Sequence, residues 1–484
     1  VTNDLHDPKA AMSLRQGDSA TRLVGDTPAG GSVLDFYLPA GTPRPPRISR
    51  GDGVELFDDT GRSWMDITSG AVVCNLGHAH PRVVEAMVRQ ARRVAYAYPM
   101  FFESDDNVAL ADLVCRLAGP GFERAFFVSG GSEANEAAFK LARQYAVARG
   151  QGTRWKIISR EPSYHGATLG AQGATGDAAA EALFGPMMRV APKVPAPLSY
   201  RVPAGTTVAE HAAACACALE ARILAEGADT VLAFIMEPVG GVATGALVAP
   251  EAYYQQVRRI CSRHGVLLIH DEVMSGAGRT GRFLASRHFT DASPDIVTLA
   301  KGLAAGYTPF GAVLVRGEIV DTLVRAGGFA HGHTYVANPF SCAVARAVLE
   351  TVVDEGLVER AAELGERLRQ GLLELQSRVA LIGDVRGLGL LQAIELVADR
   401  STRRSLPVTI NAPARLSAHG FAHGLALYHR RANAGAYGDF LLIAPPLIST
   451  PAQIDEMVSR LGLAVQDLQR ELQGQGHLAA MPPG

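Results

Sequence analysis

Lys301 closes the apolar run Ile296–Ala300, and Gly302 opens a turn directly behind it. Upstream, Gly265-Val-Leu-Leu-Ile-His270 is a second apolar run that ends in Asp271, Glu272 and Val273. Both read as buried strands, and α/β sheets bind ligands beyond the C-terminal ends of their strands. A lysine there is either a side chain leaving the sheet for solvent or an amine nucleophile. An acid there can cap a helix, pair with a cation, ligate a metal, or hold a ring nitrogen protonated. Together the two suit a pyridine cofactor: the amine forms an imine and shuttles a proton, while the carboxylate keeps the ring electron-withdrawing. Only five of the 46 basic residues are lysines, which singles out each one, because arginine cannot act as an amine nucleophile.

Such a cofactor needs a phosphate site and a stacking platform. Ser129-Gly-Gly131-Ser132-Glu-Ala-Asn-Glu136 follows the strand-like run Ala125–Val128 and opens a helix with Ala134, Ala137, Ala138, Leu141 and Tyr145 on one face. Glycines allow close backbone approach, free N–H groups and the helix dipole attract an anion, and the Ser132 hydroxyl adds a donor. The plain alternative is an N-cap with a tight turn. Ser163-Tyr164-His165-Gly166 follows the run Trp155–Ser159. Tyr164 can stack on one ring face and Val273 on the other.

The elements that must position these groups are legible as alternation. Between about 105 and 320, short apolar runs (also Val231–Met236 and Gly311–Val315) alternate with helical patterns, which predicts an α/β domain with a mostly parallel sheet flanked by helices. Residues 1–30 are polar and read as a flexible N-terminal segment. Residues 31–75 contain a hairpin signature around Asp59–Gly61 and are assigned to a small domain. Residues 76–335 form the large domain, beginning with a helix at Pro81–Val94. Residues 336–484 return to a smaller α+β domain, with one long helical stretch through Leu375, strand-like pieces Leu388–Leu396 and Phe440–Ile443, and a final helix capped by Thr450 and Gln453.

A formal net charge of −2 gives no basic field for nucleic acid or an anionic membrane. Cys74, Cys115, Cys215, Cys217, Cys261 and Cys342 are too sparse for a disulfide scaffold, and no second Cys/His cluster supports Cys215/Cys217 as a metal site. No signal peptide or stretch of ~20 apolar residues is visible, so a cytoplasmic protein is expected, with the true start left open by Met12. The segments match neither a dinucleotide fingerprint nor a P-loop, which disfavours a nucleotide-dependent enzyme.

These motifs together resemble the class III (ω-) aminotransferases, a group of fold-type-I pyridoxal-5′-phosphate (PLP) enzymes. The resemblance runs from about Leu56 to Leu461. It includes LGHAHP at 76–81, SGGSEANEAA at 129–138, YHG at 164–166, EPVGG at 237–241 and LLIHDEVMSGAGRTG at 267–281. TLAKGL at 298–303, HGHTYVANP at 331–339, VRGLGL at 385–390 and APPL at 444–447 complete it.

The resemblance implies that Lys301 is the Schiff-base lysine and Asp271 the partner of the pyridine nitrogen. Val273 and Tyr164 would sandwich the ring, Gly131 and Ser132 would hold the phosphate, and His165 counts among the cofactor contacts. Thr334 would complete the phosphate site across a homodimer interface. Glu237 is similar to a glutamate that pairs with a mobile arginine. Arg430 or Arg431 could be that arginine and grip a substrate carboxylate, or both are solvated loop charges. Tyr98, in the aromatic stretch 96–102, either lines an apolar substrate pocket or belongs to an interface core. The pairs His78/His80 and His331/His333 lie inside family motifs, so no metal is expected. The implied reaction moves an amino group from a primary amine or ω-amino acid to a keto acid, pyruvate by resemblance, with ping-pong kinetics. A 2,1-aminomutase, a decarboxylating transaminase and a non-catalytic PLP-binding protein are the alternatives on the same scaffold.

Overall fold

The computed structural model describes residues 44–429 and 432–478. The chain enters through β1 (Ile48–Asp52), β2 (Glu55–Asp58) and β3 (Ser63–Asp66), with Leu56 opposite Trp64 in the antiparallel β2–β3 pair. Asp58 ties this turn by accepting from the Thr60 amide (2.9 Å) and hydroxyl (2.7 Å). Helix α1 (Pro81–Arg93) follows, with proline in its first turn, where a missing N–H costs nothing.

The central sheet contains β4 (Phe122–Val128), β5 (Lys156–Glu161), β6 (Lys193–Pro195), β7 (Val231–Met236), β8 (Leu267–Asp271), β9 (Ile296–Leu299) and β10 (Gly311–Arg316). Their order is β4-β10-β9-β8-β7-β5-β6. Strands β5 to β9 pair in parallel, and β10 runs antiparallel to both β4 and β9. Every residue of β7 and β9 is buried, as a sheet covered on both faces requires. Helix α2 (Gly131–Ala148) packs Ala134, Ala138 and Leu141 against Ile235 and Ile269. On the other face, α3 (Val208–Glu226) and α4 (Glu251–His264) pack Leu219 and Val257 against Phe234 and Leu268. The alanine-rich α3 starts from a full capping box made by Thr207 and Glu210.

Two C-terminal expectations change. The long helical stretch is two helices, α5 (Pro339–Asp354) and α6 (Leu357–Arg378), because Gly356 adopts φ 60° and breaks the ladder between them. The single piece Leu388–Leu396 is a hairpin of β11 (Ile382–Leu388) and β12 (Leu391–Leu396), turning at Gly389 (φ 53°). A side chain at Gly389 would sit 2.5 Å from the Thr280 backbone, so this turn is pressed against the loop after β8. Strand β13 (Leu425–Ala426) pairs in parallel with β3, and β14 (Asp439–Ile443) pairs with β12. The predicted capping box, Thr450 with Gln453, opens α7 (Pro451–Gly474). No helix among the described residues is long and apolar enough to cross a membrane.

Candidate active site

The loops leaving β4, β5, β7, β8 and β9 border one cavity of about 420 Å³, and Gly131, Ser132, Tyr164, His165, Glu237, Asp271, Val273 and Lys301 all line it. Lys301 follows β9 after Ala300 and begins a short 3₁₀ turn, Lys301–Leu303. Its φ of 42° lies in the left-handed region, a conformation that a non-glycine residue keeps only where its surroundings enforce it. Gly302 is required beside it, since a Cβ there would come within 2.3 Å of the Asn75 amide.

Asp271 ends β8, the neighbour of β9, and pairs in register with Thr298. Its Oδ2 accepts from Asn135 Nδ2 (2.8 Å) and lies 2.9 Å from His165 Nδ1, while Oδ1 accepts from the Val273 amide (3.1 Å). A carboxylate only accepts, so this contact places the imidazole proton on Nδ1. Asn135 is fixed in turn: it donates to the His165 carbonyl (2.5 Å) and accepts from Thr298 Oγ1 (2.8 Å). Three groups, Asn135, His165 and the Val273 amide, therefore hold one carboxylate, and Thr298 holds Asn135. His165 Nε2 is buried with no hydrogen-bond partner among the described residues.

Helix α2 starts at Gly131 behind Gly130, which offers no side-chain cap, and Gly130, Gly131 and Ser132 line the cavity, so the positive end of the helix dipole borders it. A Cβ on Gly131 would lie 2.8 Å from Val273 Cγ1, and one on Gly166 2.6 Å from Ser132 Oγ. Ser132 Oγ accepts from the Ala167 amide (3.0 Å). One turn further, Glu136 Oε1 accepts from Thr168 Oγ1 (2.8 Å) and the amides of Gly170 (3.0 Å) and Ala171 (3.2 Å), which pins the loop behind Tyr164. A carbonyl-binding amine, an anchored acid and an uncapped helix start on one cavity fit a phosphorylated pyridine aldehyde.

Glu237 is buried on the same cavity. Its Oε1 accepts from the Gly241 amide (3.3 Å), and its Oε2 has no hydrogen-bond partner among the described residues. Arg160, also buried, places Nη2 3.6 Å from Oε2 and donates to the Glu237 carbonyl at 2.7 Å. Burial pushes the Glu237 carboxyl up, against the pull of His165 and Arg160.

Other expected site residues lie elsewhere. Thr334 is exposed and off the cavity wall, its carbonyl accepting from Tyr96 Oη at 3.0 Å. Tyr98 is also exposed, edge-on to Phe101. Arg430 and Arg431 lie outside the described residues. The pair His78/His80 separates: His78 Nε2 is 3.3 Å from Asp66, whereas His80 Nε2 is 3.6 Å from Glu355. The rings of His331 and His333 stay side by side, their centroids 5.9 Å apart. Asp66, Cys74 and His78 bring ligand-type atoms within 4.8 Å of one another, and the buried Arg279 guanidinium supplies positive charge to Asp66 and Cys74 there. Asn135, Glu136 and Arg160 hold the site but carry no assignment from sequence. The first two sit inside the motif at 129–138, where a polar residue amid buried alanines is the available signal.

The sheet order, the lysine after β9 and the acid after β8 define a PLP-type transferase. The chain belongs to the class III aminotransferases: the family model for aminotransferase class-III matches residues 38–465. It is 36% identical over 429 residues to the uncharacterized aminotransferase YodT of Bacillus subtilis, covering 88% of this chain and 96% of that one. It is 33% identical over 416 residues to the putrescine–pyruvate aminotransferase of Pseudomonas aeruginosa, covering 85% and 88%. Among solved structures, the ω-transaminase of Pseudomonas jessenii in complex with PMP superposes with a TM-score of 0.82 at 30% identity, covering 89% of this chain and 94% of that one. The protein is a PLP-dependent transaminase acting on small-molecule amines and keto acids.

Proposed function

We propose that the protein transfers an amino group from a primary amine or ω-amino acid to a keto acid, with pyruvate as acceptor. When bound, PLP supplies a carbonyl that condenses with amines and a ring that withdraws electrons from the adjacent carbon. Lys301 Nζ would hold the cofactor and would carry the proton that the reaction moves. Asp271 would meet the ring nitrogen, and His165 and Asn135 keep Asp271 in place. Tyr164 and Val273 would hold the ring, while Gly131, Ser132 and the start of α2 would receive the phosphate. The observation that carries this reading is the position of Lys301 and Asp271 at the ends of adjacent strands on one cavity.

A homodimer completes the proposal, with Thr334 of the partner subunit closing the phosphate site. Its support is an exposed aromatic patch in which Tyr96 packs edge-on to Tyr335 and Phe101 to Phe102. Phe101 is 72% exposed and Met100 74%, more apolar surface than an isolated chain leaves uncovered without cause. The pyruvate acceptor draws its support from the relative named for pyruvate.

The test is the absorbance of the PLP-loaded protein. An amine that bleaches the lysine-bound cofactor band, and pyruvate that restores it, are the expected results, with parallel double-reciprocal lines in the steady state. A Lys301→Ala variant that still turns over would overturn the assignment. A band bleached by amine and restored by other keto acids but never by pyruvate would overturn the acceptor alone.

A further inference from the structure

Lys301 keeps a left-handed backbone (φ 42°) that its own side chain disfavours, so the hold on it must come from outside its turn. The loop from Lys301 to Gly306 lies against one segment, Val73 to Asn75, at two glycines. A Cβ on Gly302 would meet Asn75 Nδ2 at 2.3 Å and Cγ at 2.8 Å, so the bare Gly302 Cα rests directly on the Asn75 amide. A Cβ on Gly306 would meet Val73 Cγ1 at 3.2 Å and Cys74 Sγ at 3.3 Å. Asn75 is buried and fixed at both ends of its amide. Its Nδ2 donates to the Ala277 carbonyl (3.2 Å), and its Oδ1 accepts from Arg279 Nη2 (2.7 Å). Arg279, buried as well, also donates to Ser69 Oγ (3.1 Å), to the Leu390 carbonyl in the β11–β12 turn (3.2 Å) and to the Pro445 carbonyl beyond β14. One rigid fork of donors thus serves four acceptors from separate parts of the chain.

We infer that Asn75, clamped by Arg279, is a positioning residue for Lys301: it is the stop against which the Lys301–Gly302 turn is pressed, and it sets where Nζ meets the cofactor. The inference rests on the reading of Lys301 as the lysine that holds the cofactor, and adds the residues that aim it. A hub that merely joined segments would place no demand on the lysine loop, yet Gly302 faces this one with no room for a methyl group. Close-packed interiors transmit such contacts as displacement, because neither side has space to give. Through Arg279 the placement of Lys301 depends on the β11–β12 turn and the segment after β14 as well as on the central sheet.

The test is a double-mutant cycle on the PLP-loaded protein, read as the pH midpoint of the lysine-bound cofactor band, as turnover and as melting temperature. The midpoint follows how the lysine is turned against the ring, and a loss of stability alone does not move it. Gly302→Ala deletes no hydrogen-bonding group. It should shift the midpoint by about one pH unit, the scale of strain at one left-handed residue, and lower turnover on the order of 10²-fold, as a misplacement of about 1 Å does. Asn75→Ala should also shift the midpoint, because the stop is gone. In the double variant the added methyl enters the space the amide vacates, and turnover should recover about tenfold over Gly302→Ala. Effects in the double variant that simply multiply those of the two singles overturn the inference. So does an Asn75→Ala protein in which only the melting temperature falls. If Asn75→Ala does not fold, Gly302→Ala decides alone, and an unmodified midpoint and turnover there overturn the inference. An unmodified protein with no lysine-bound band overturns the reading of Lys301 itself.

Discussion

Asn135 reaches across from the first turns of α2 to Asp271 at the end of β8, 2.8 Å from Nδ2 to Oδ2. The side chain that orients the acid thus belongs to the helix whose start faces the cavity. Movement of α2 is thereby coupled to the carboxylate through a single amide.

Asn135→Leu should uncouple them. It leaves Thr298 Oγ1 and one side of Asp271 without their partner, at a cost of about 1–3 kcal/mol for buried polar groups. The expected outcome is faster loss of PLP on dialysis and a lower melting temperature of the holoenzyme. Asn135→Asp should be worse for PLP retention, because it replaces the donor with a second carboxylate. Retention measured by absorbance, together with calorimetry, checks both variants.

Asp271→Asn should separate binding from chemistry. The amide keeps the size of the side chain but does not stabilise a protonated ring nitrogen. Turnover is expected to fall on the order of 10²-fold or more, comparable to losing a group aimed at developing charge, while the lysine-bound absorbance band survives. Single-turnover kinetics with a bleaching amine measure this directly.

Gly131→Ala should loosen the cofactor by sterics alone. Its added methyl would lie 2.8 Å from Val273 Cγ1, so either Val273 or the start of α2 must shift. A roughly tenfold weaker PLP affinity is expected, equivalent to about 1.4 kcal/mol. Gly152→Ala, with nothing within 4 Å of the new atom, is the control and should bind PLP normally.

His270, buried in β8 behind Asp271, has both ring nitrogens unpartnered among the described residues, and burial pushes its pKa down to about 3. An unfolded histidine titrates near 6.5, so between about pH 6.5 and 3 the unfolded chain binds a proton that the folded one does not. Stability from this site is present above pH 6.5 and is lost as pH falls. From pH 6.5 to 5 the loss approaches 2 kcal/mol. His270→Phe should flatten the acid side of the stability curve by that difference, measured by denaturant melts at pH 7 and pH 5.

The chemistry of Lys301 and Asp271 was legible because each ends a strand that is apolar on both faces, and such runs stand out in a sequence. The bounds of β7 and β9 also follow from their apolar runs. Asn135 and Arg160 were not legible as supports, because their role depends on which distant backbone and carboxylate they meet. The break at Gly356 leaves no mark in the sequence pattern, because apolar periodicity continues through it and one left-handed residue ends a helix without changing that pattern. Thr334 carries no signal within one chain, since its own fold leaves it on the surface.

The pairing of β3 with β13 sets an order of events in making the protein. Met65 and Asp66 find their parallel partners only at Leu425 and Ala426. Trp64 likewise donates its indole N–H to the Phe421 carbonyl at 3.1 Å and stacks on the Phe421 ring. Strand β3 must wait unpaired on one side until Leu425 and Ala426 have been synthesised. Contacts of such long sequence separation slow folding and leave strand edges exposed to association in the interval. A chain cut before Leu425 would therefore be expected to aggregate even though its central sheet and Lys301 are intact.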